Sequence, residues 1–199
     1  MLSRILISFV CVFSVFNCEE KLDYNKLPFK ISDGVYNAVI EIPAGTNKKF
    51  EYNKITKSFE IDKTDGQDRI INFLPYLGNY GFIPSTCSDQ KKGGDGDPLD
   101  VLVLSENVPT GTIIEIKPIA MLKLLDNGDL DCKIIAIPYD IDKRILDIKN
   151  LEELSIRFPE IKTMIELWFL NYNKEDEANI IGWVNKKVTL EEIFKNKLN

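Results

Sequence analysis

Between Asp95 and Asp100 the chain reads Asp-Gly-Asp-Pro-Leu-Asp, three carboxylates in six residues, and the apolar run Val101 to Leu104 follows at once. Gly96 and Pro98 constrain the backbone between the acids, and the run from Leu99 reads as a strand that anchors the turn in a core. Acids this close repel one another unless solvent or a cation screens them. Oxygen-only ligands of this kind suit magnesium, manganese or calcium, and they bind magnesium together with phosphate oxygens. Two blander readings compete. Many Asp-Gly turns are only turns, and a calcium loop of the Asp-x-Asp-x-Asp-Gly type needs a bidentate Glu about twelve positions along. Glu106 falls at that distance from Asp95, but beyond a strand-like run where such a loop gives way to a helix.

The elements that position these acids are legible in outline. Val35 to Ile42, Lys49 to Asn53, Ser58 to Ile61, Asp100 to Leu104, Thr112 to Leu125 and Lys133 to Pro138 are short, rich in β-branched residues and bounded by turn signals. That spacing predicts a small antiparallel barrel. The period then changes: Leu151, Leu154, Phe158, Ile161, Ile165, Trp168, Phe169 and Tyr172 recur at helical spacing, with an interruption expected at Pro159. A second helix is expected from about Leu190, with Thr189 as N-cap and Glu192 as its capping-box partner. Strands followed by helices give an α+β fold.

Composition limits the chemistry. The 199 residues, 44% hydrophobic, suffice for one domain with a substantial core, and a formal charge of -6 gives no reason to favour nucleic acid or anionic membranes. There is no histidine, which excludes a Ser-His triad, a histidine base and imidazole-built zinc sites. Acid-base work must fall to Asp, Glu, Lys, Tyr or metal-bound water.

The N-terminus reads separately. Arg4 precedes Ile5 to Phe16, an apolar run of about twelve residues, too short to span a bilayer comfortably but suited to a signal-peptide core. Cys18, between Asn17 and Glu19-Glu20, resembles a lipoprotein cleavage site, although Asn17 departs from the usual small residue. Residues 1–18 are therefore expected to be a leader, 19–34 a polar arm, and 35–199 the domain. This implies an exported protein, periplasmic or in the cell envelope, simply secreted after cleavage, held by an uncleaved leader, or anchored to the membrane through a lipid at Cys18. Cys87 and Cys132 are expected to stay unpaired, with Cys132 turned to the core between Asp131 and Lys133.

From about Val39 to Tyr172 the chain resembles the family I soluble inorganic pyrophosphatases. Asp95 to Val101 matches that family's signature, and Glu41-Ile42-Pro43-Ala44, then Tyr76 with Asn79-Tyr80-Gly81-Phe82-Ile83-Pro84, and Asp126 to Lys133 match in the family's order. The resemblance implies a five-stranded OB-like barrel with helices packed against it, and magnesium-dependent hydrolysis of pyrophosphate by metal-activated water. It implies several magnesium ions per site, with manganese as a substitute, and a homo-oligomer, commonly a hexamer in bacterial members. Asp95, Asp100 and Asp131 would form the first metal site; Asp100 would also touch the second, and Asp126 with Asp131 an ion carried by substrate. Glu41 would act through metal-bound waters. Asp97 would be the general base or orienter of the attacking water. Lys49, Arg69, Tyr80, Lys133 and Tyr172 would contact phosphate, with Glu51 and Tyr76 in support.

The chain departs from the family at Asn173, usually Lys, with Lys174 next to it; at Asn127, often an acid; and around Thr64 to Asp68, where an insertion makes Lys63 an alternative match for Arg69. A non-catalytic module binding calcium and a phosphorylated ligand, and a phosphohydrolase for nucleotides or organic esters, are the competing functions. The first predicts binding without turnover; the second needs a base- or sugar-recognition surface that the sequence does not display. A haloacid-dehalogenase-type phosphatase is disfavoured, because its Asp-x-Asp follows an apolar strand instead of preceding one.

Overall fold

The computed structural model describes residues 21–174 and 177–198, so the leader and Cys18 lie outside the described residues. Alternation of apolar side chains builds a ring of five strands: β2 (Val35–Ile42), β7 (Asn79–Phe82), β8 (Asp100–Val103), β10 (Asp129–Pro138) and β9 (Ile113–Asp126), which returns to pair with β2. β1 (Lys30–Ser32) and β11 (Ala178–Asn185) extend the sheet beside β2 and β9. Between β2 and β7 lie two hairpins, β3 (Phe50–Asn53) with β4 (Ser58–Ile61), and β5 (Lys63–Thr64) with β6 (Gln67–Asp68).

The ring is not wholly antiparallel as expected: β8 and β10 run parallel, joined through β9. Apolar periodicity fixes which face a residue takes but carries no information on strand direction, so the parallel pair was invisible in the sequence. β7 was missed as a strand because Asn79 and Gly81 weaken its propensity, and β11 because Asn179 and Gly182 interrupt it.

Period-two alternation divides the core. Val101, Val103, Ile134, Ala136 and Met121 form one cluster with Ile193 of α3 (Lys186–Lys195). Leu102, Leu104, Ile135, Ile137, Leu122 and Leu124 form the other, closed by Leu154 of α1 (Leu151–Arg157) and Ile165, Trp168 and Phe169 of α2 (Pro159–Asn171). Pro159 opens α2 at its first turn, where its missing N–H costs nothing, and so produces the expected interruption. α3 begins earlier than expected. Asn185 is its N-cap, accepting from the Val188 N–H, while Thr189 is buried and donates its hydroxyl to the Asn185 carbonyl.

Within the segment expected to be a polar arm or linker, Tyr24 packs edge-on against Tyr52 and Phe59 at 5.3 and 4.9 Å, and β1 pairs with β2. Cys87 and Cys132 are free thiols, and Cys132 packs beside the cluster of Val101 and Ile134. Among the described residues, no helix is long and apolar enough to cross a membrane.

Glu166 fastens α2 to β11, accepting from Lys162 Nζ and Trp183 Nε1, both at 2.6 Å. Burial pushes its carboxyl up, but these two donors outweigh that and hold it below the ordinary glutamate range. A folded value below the unfolded one gives stabilisation that is present above the unfolded pKa and fades as pH falls through the folded one. Glu166→Gln should cost about 1 kcal/mol at neutral pH. Urea titrations should show that difference shrinking on acidification below the usual glutamate range.

Candidate active site

The strands that are apolar along their length become ionic at one rim. Asp131 and Lys133 continue the face of Ile135 and Ile137 on β10, Asp126 continues that of Leu122 and Leu124 on β9, and Asp100 that of Leu102 and Leu104. The parallel register sets Lys133 opposite Asp100. Its ammonium donates to Asp100 Oδ2 and lies against Asp131 Oδ1, both at 2.6 Å, and donates to the Tyr80 hydroxyl at 2.9 Å. Burial works against this charge, but Asp100, Tyr80 and Asp131 outweigh it and hold the ammonium well above an ordinary lysine. Lys133 is therefore a fixed cation.

The acid loop is held by its own backbone. The Asp97 N–H donates to Asp95 Oδ1 at 2.9 Å, the Ser88 N–H to the Asp97 carbonyl at 2.7 Å, and Gln90 Nε2 to the Asp95 carbonyl at 2.9 Å. Gly96 takes φ 90°, which a side chain would strain. On the opposite wall, Glu41 of β2 accepts from the Tyr52 N–H at 2.7 Å. Burial, helped by Asp100 and Glu51, nevertheless pushes its carboxyl up to about 8.

The two hairpins between β2 and β7 gather the cations. Lys49 Nζ lies 2.8 Å from Glu51 Oε1 and 3.5 Å from Asp62 Oδ2, and Asp62 Oδ2 also accepts from Arg69 at 3.2 Å. The insertion is what achieves this. Asp65 and Gly66, with φ of 53° and 79°, turn β5 into β6 and return Arg69 to Lys49, whose N–H donates to the Arg69 carbonyl at 3.1 Å. Lys63 is exposed and lines a separate groove, whereas Arg69 lines the cleft of the acid loop.

One cleft of about 430 Å³ takes in all thirteen expected residues: Glu41, Lys49, Glu51, Arg69, Tyr76, Tyr80, Asp95, Asp97, Asp100, Asp126, Asp131, Lys133 and Tyr172. It also takes in Asn127, at the position often held by an acid, and residues not expected there, notably Lys54, Trp168 and Phe169. Trp168 stacks on Tyr172 at 4.8 Å and 7°, lies 4.5 Å from Tyr76, and donates Nε1 to the Leu74 carbonyl at 2.9 Å. Its helical spacing marked it only as core, and it serves as both core and wall. Asp62, the tie between Lys49 and Arg69, carried no motif of its own.

Asn127 has a local reason. With Gly128 it forms the β9–β10 turn at φ 49° and 92°, a conformation that Asn-Gly adopts readily, and its side chain accepts from the Glu177 N–H at 3.1 Å. Lys174 is exposed and absent from the cleft lining, while Tyr172 is part of it.

Seven acidic side chains face four cationic ones in this cleft, a formal excess of three negative charges that burial of Glu41 as a neutral acid only partly relieves. Burial also pushes the Asp95 and Asp131 carboxyls up. A hard multivalent cation relieves such an excess, and a donor set of carboxylate oxygens without imidazole or thiolate suits magnesium-like ions. Among the described residues no three acidic side chains already form a metal cage; Lys133 stands between Asp100 and Asp131.

A model of the family described as inorganic pyrophosphatase matches residues 38–198. The inorganic pyrophosphatase of Synechocystis sp. is 34% identical over 183 residues, covering 88% of this chain and 99% of that protein. That of Aquifex pyrophilus is 36% identical over 163 residues, covering 79% and 84%. The crystal structure of an inorganic pyrophosphatase from Neisseria gonorrhoeae superposes with TM-score 0.73 at 30% identity, covering 87% of this chain and 96% of that one. The enzyme from Thermus thermophilus gives 0.75 at 27%, covering 88% and 97%.

Proposed function

The chain belongs to the inorganic pyrophosphatase family, and from that premise we propose how its residues split pyrophosphate into two phosphates with magnesium. The observation that carries the reading is the convergence of seven acidic side chains and four cations on one cleft. Carboxylates alone would repel the substrate, and cations alone would hold it without activating water.

Asp95, Asp100 and Asp131 would hold a first magnesium, Asp100 would reach a second, Asp126 with Asp131 would hold one arriving with substrate, and Glu41 would act through bound water. Manganese suits the same oxygen donors. When bound, such ions neutralise the substrate's oxygens and make water a usable nucleophile near neutral pH. Asp97 takes the proton of the attacking water at its carboxylate as that water's oxygen bonds to phosphorus and the bond from phosphorus to the bridging oxygen breaks; the second phosphate leaves with that oxygen, and the proton passes from Asp97 to a departing phosphate.

Arg69 offers a planar fork to phosphate oxygens, Lys49 a compact charge, and Tyr80 and Tyr172 hydroxyl donors. Glu51 and Asp62 pre-position the two cations, and Tyr76 supports the ring wall. All three ammonium protons of Lys133 have partners within 2.9 Å. A phosphate oxygen reaching Lys133 must therefore displace one of them.

The reading extends to setting. An exported, cell-envelope enzyme anchored by lipid at Cys18 would recover phosphate or clear external pyrophosphate; its support is the apolar run Ile5 to Phe16 before that cysteine. A homo-oligomer is supported by Ile156, Met164 and Leu167, exposed on α1 and α2.

Purified protein should release phosphate from pyrophosphate only with magnesium, and Asp97→Asn should lower kcat by about 10²- to 10⁴-fold. Magnesium at about 100 times its Kd should stabilise both forms by about 2.7 kcal/mol in thermal unfolding. Stabilisation lost together with turnover in Asp97→Asn would make Asp97 a metal ligand and not the base. Wild-type protein that is stabilised by magnesium but releases nothing would favour the binding module.

A further inference from the structure

Three of the cleft's four cations are paired with carboxylates on or beside the strands next to them. The fourth crosses the cleft. Lys54 stands on the turn between β3 and β4, and its Nζ donates to Asp97 Oδ1 at 3.1 Å, joining segments 43 residues apart. We propose that Lys54 is a positioning residue for the hydrolysis, orienting the Asp97 carboxylate toward the attacking water; this rests on Asp97 being the base.

The geometry of both ends supports this. The Asp97 backbone is pinned through its N–H and its carbonyl, but its side chain is 70% exposed and free to rotate without a second contact. Lys54 supplies that contact from an ordered mount. Asn53 Oδ1 accepts from the Ile55 and Thr56 N–H groups and closes the turn. Lys21 Nζ reaches the Thr56 carbonyl at 3.1 Å, and Tyr24 packs against Tyr52 and Phe59 on the same hairpin. The arm and the hairpin together thus hold the ammonium over the acid loop.

A surface ion pair contributes little to folding, and with side chains 54% and 70% exposed this pair has no large stabilising role. Orientation is a different matter, since misplacing a reacting group by about 1 Å can cost about 10²-fold in rate. A lysine that bound phosphate directly would affect KM and would do so whatever residue stood at 97.

The test is a double-mutant cycle on the full chain with pyrophosphate and saturating magnesium, using Lys54→Met, Asp97→Asn and the pair. Lys54→Met should lower kcat about 10- to 100-fold with KM changed less than about threefold, and Lys54→Arg should recover most of the loss. In the Asp97→Asn background Lys54→Met should change kcat less than about twofold, because its route of action is gone. Equal losses in both backgrounds, a rise in KM at constant kcat, or no loss would each overturn the proposal while leaving the pyrophosphatase reading intact. Wild-type protein without magnesium-dependent phosphate release would overturn that reading and this proposal with it.

Discussion

Lys133→Met is expected to lower pyrophosphate turnover by about 10²- to 10³-fold and folding stability by about 3 kcal/mol. Both effects come from one position. The ammonium is buried and lies 2.6 Å from each of Asp100 and Asp131, so its removal leaves two carboxylates facing each other without a countercharge. Methionine fills the volume but not the charge. Urea unfolding and phosphate release measure the two losses separately. Magnesium should restore part of the stability, since an ion between those carboxylates offsets the same repulsion, but little of the turnover, because the cation that faces Tyr80 is gone. A variant that kept wild-type stability without magnesium would mean that Asp100 and Asp131 are solvated well enough to need no countercharge.

Gly81→Ala is expected to cost about 4 kcal/mol or more, or to leave the protein insoluble. Gly81 lies between two strands, opposite Ile40 of β2 and Val101 of β8. A Cβ there would stand 1.9 Å from the Val39 carbonyl oxygen and 2.9 Å from Ile40 Cα. These are backbone atoms, which cannot rotate away as a side chain could. β2 and β7 would have to separate, taking Glu41 from Tyr80. Gly34→Ala is the control: its φ is 74° but nothing lies within 4 Å, so only the backbone penalty of about 1 kcal/mol applies. Urea midpoints of the two variants distinguish a steric wedge from ordinary glycine strain.

The cleft was more legible in the sequence than the fold that carries it. Asp95 to Asp100 announced itself because several rare constraints coincide within one turn, and Asp131 with Lys133 because alternate residues on a strand share a face. Lys54 did not, since its partner lies on another segment and a lysine in a polar turn reads as a solvated charge. Asp62 was hidden for the same reason, and Trp168 because helical spacing accounts for it without reference to a cleft. In the fold, β2 and β4 matched their expected spans, as both are bounded by turn signals and alternate cleanly. The start of α3 was misplaced because Thr189 has the chemistry of a cap but is buried one turn inside the helix; Asn185 does the capping. Polar composition made residues 19–34 read as an arm, and it did not reveal that Tyr24 and Leu27 of that arm pack beside Tyr52 and Phe82.

The ring of strands closes through the pairing of β2 with β9, where Tyr36 meets Ile116 and Val39 meets Ile113. Contacts so far apart in the chain form late, because the entropy of a long loop must be lost before they reward it. Lys49, Arg69 and the acid loop all lie within that loop, while Asp126, Asp131 and Lys133 lie beyond it. In a chain halted before closure β8 can already set Asp100 beside Lys133, but Lys49 and Arg69, which follow β2, are not yet fixed against Asp126 of β9. Recovery of phosphate release during refolding is thus a clock for ring closure, ticking only in molecules whose ring has shut.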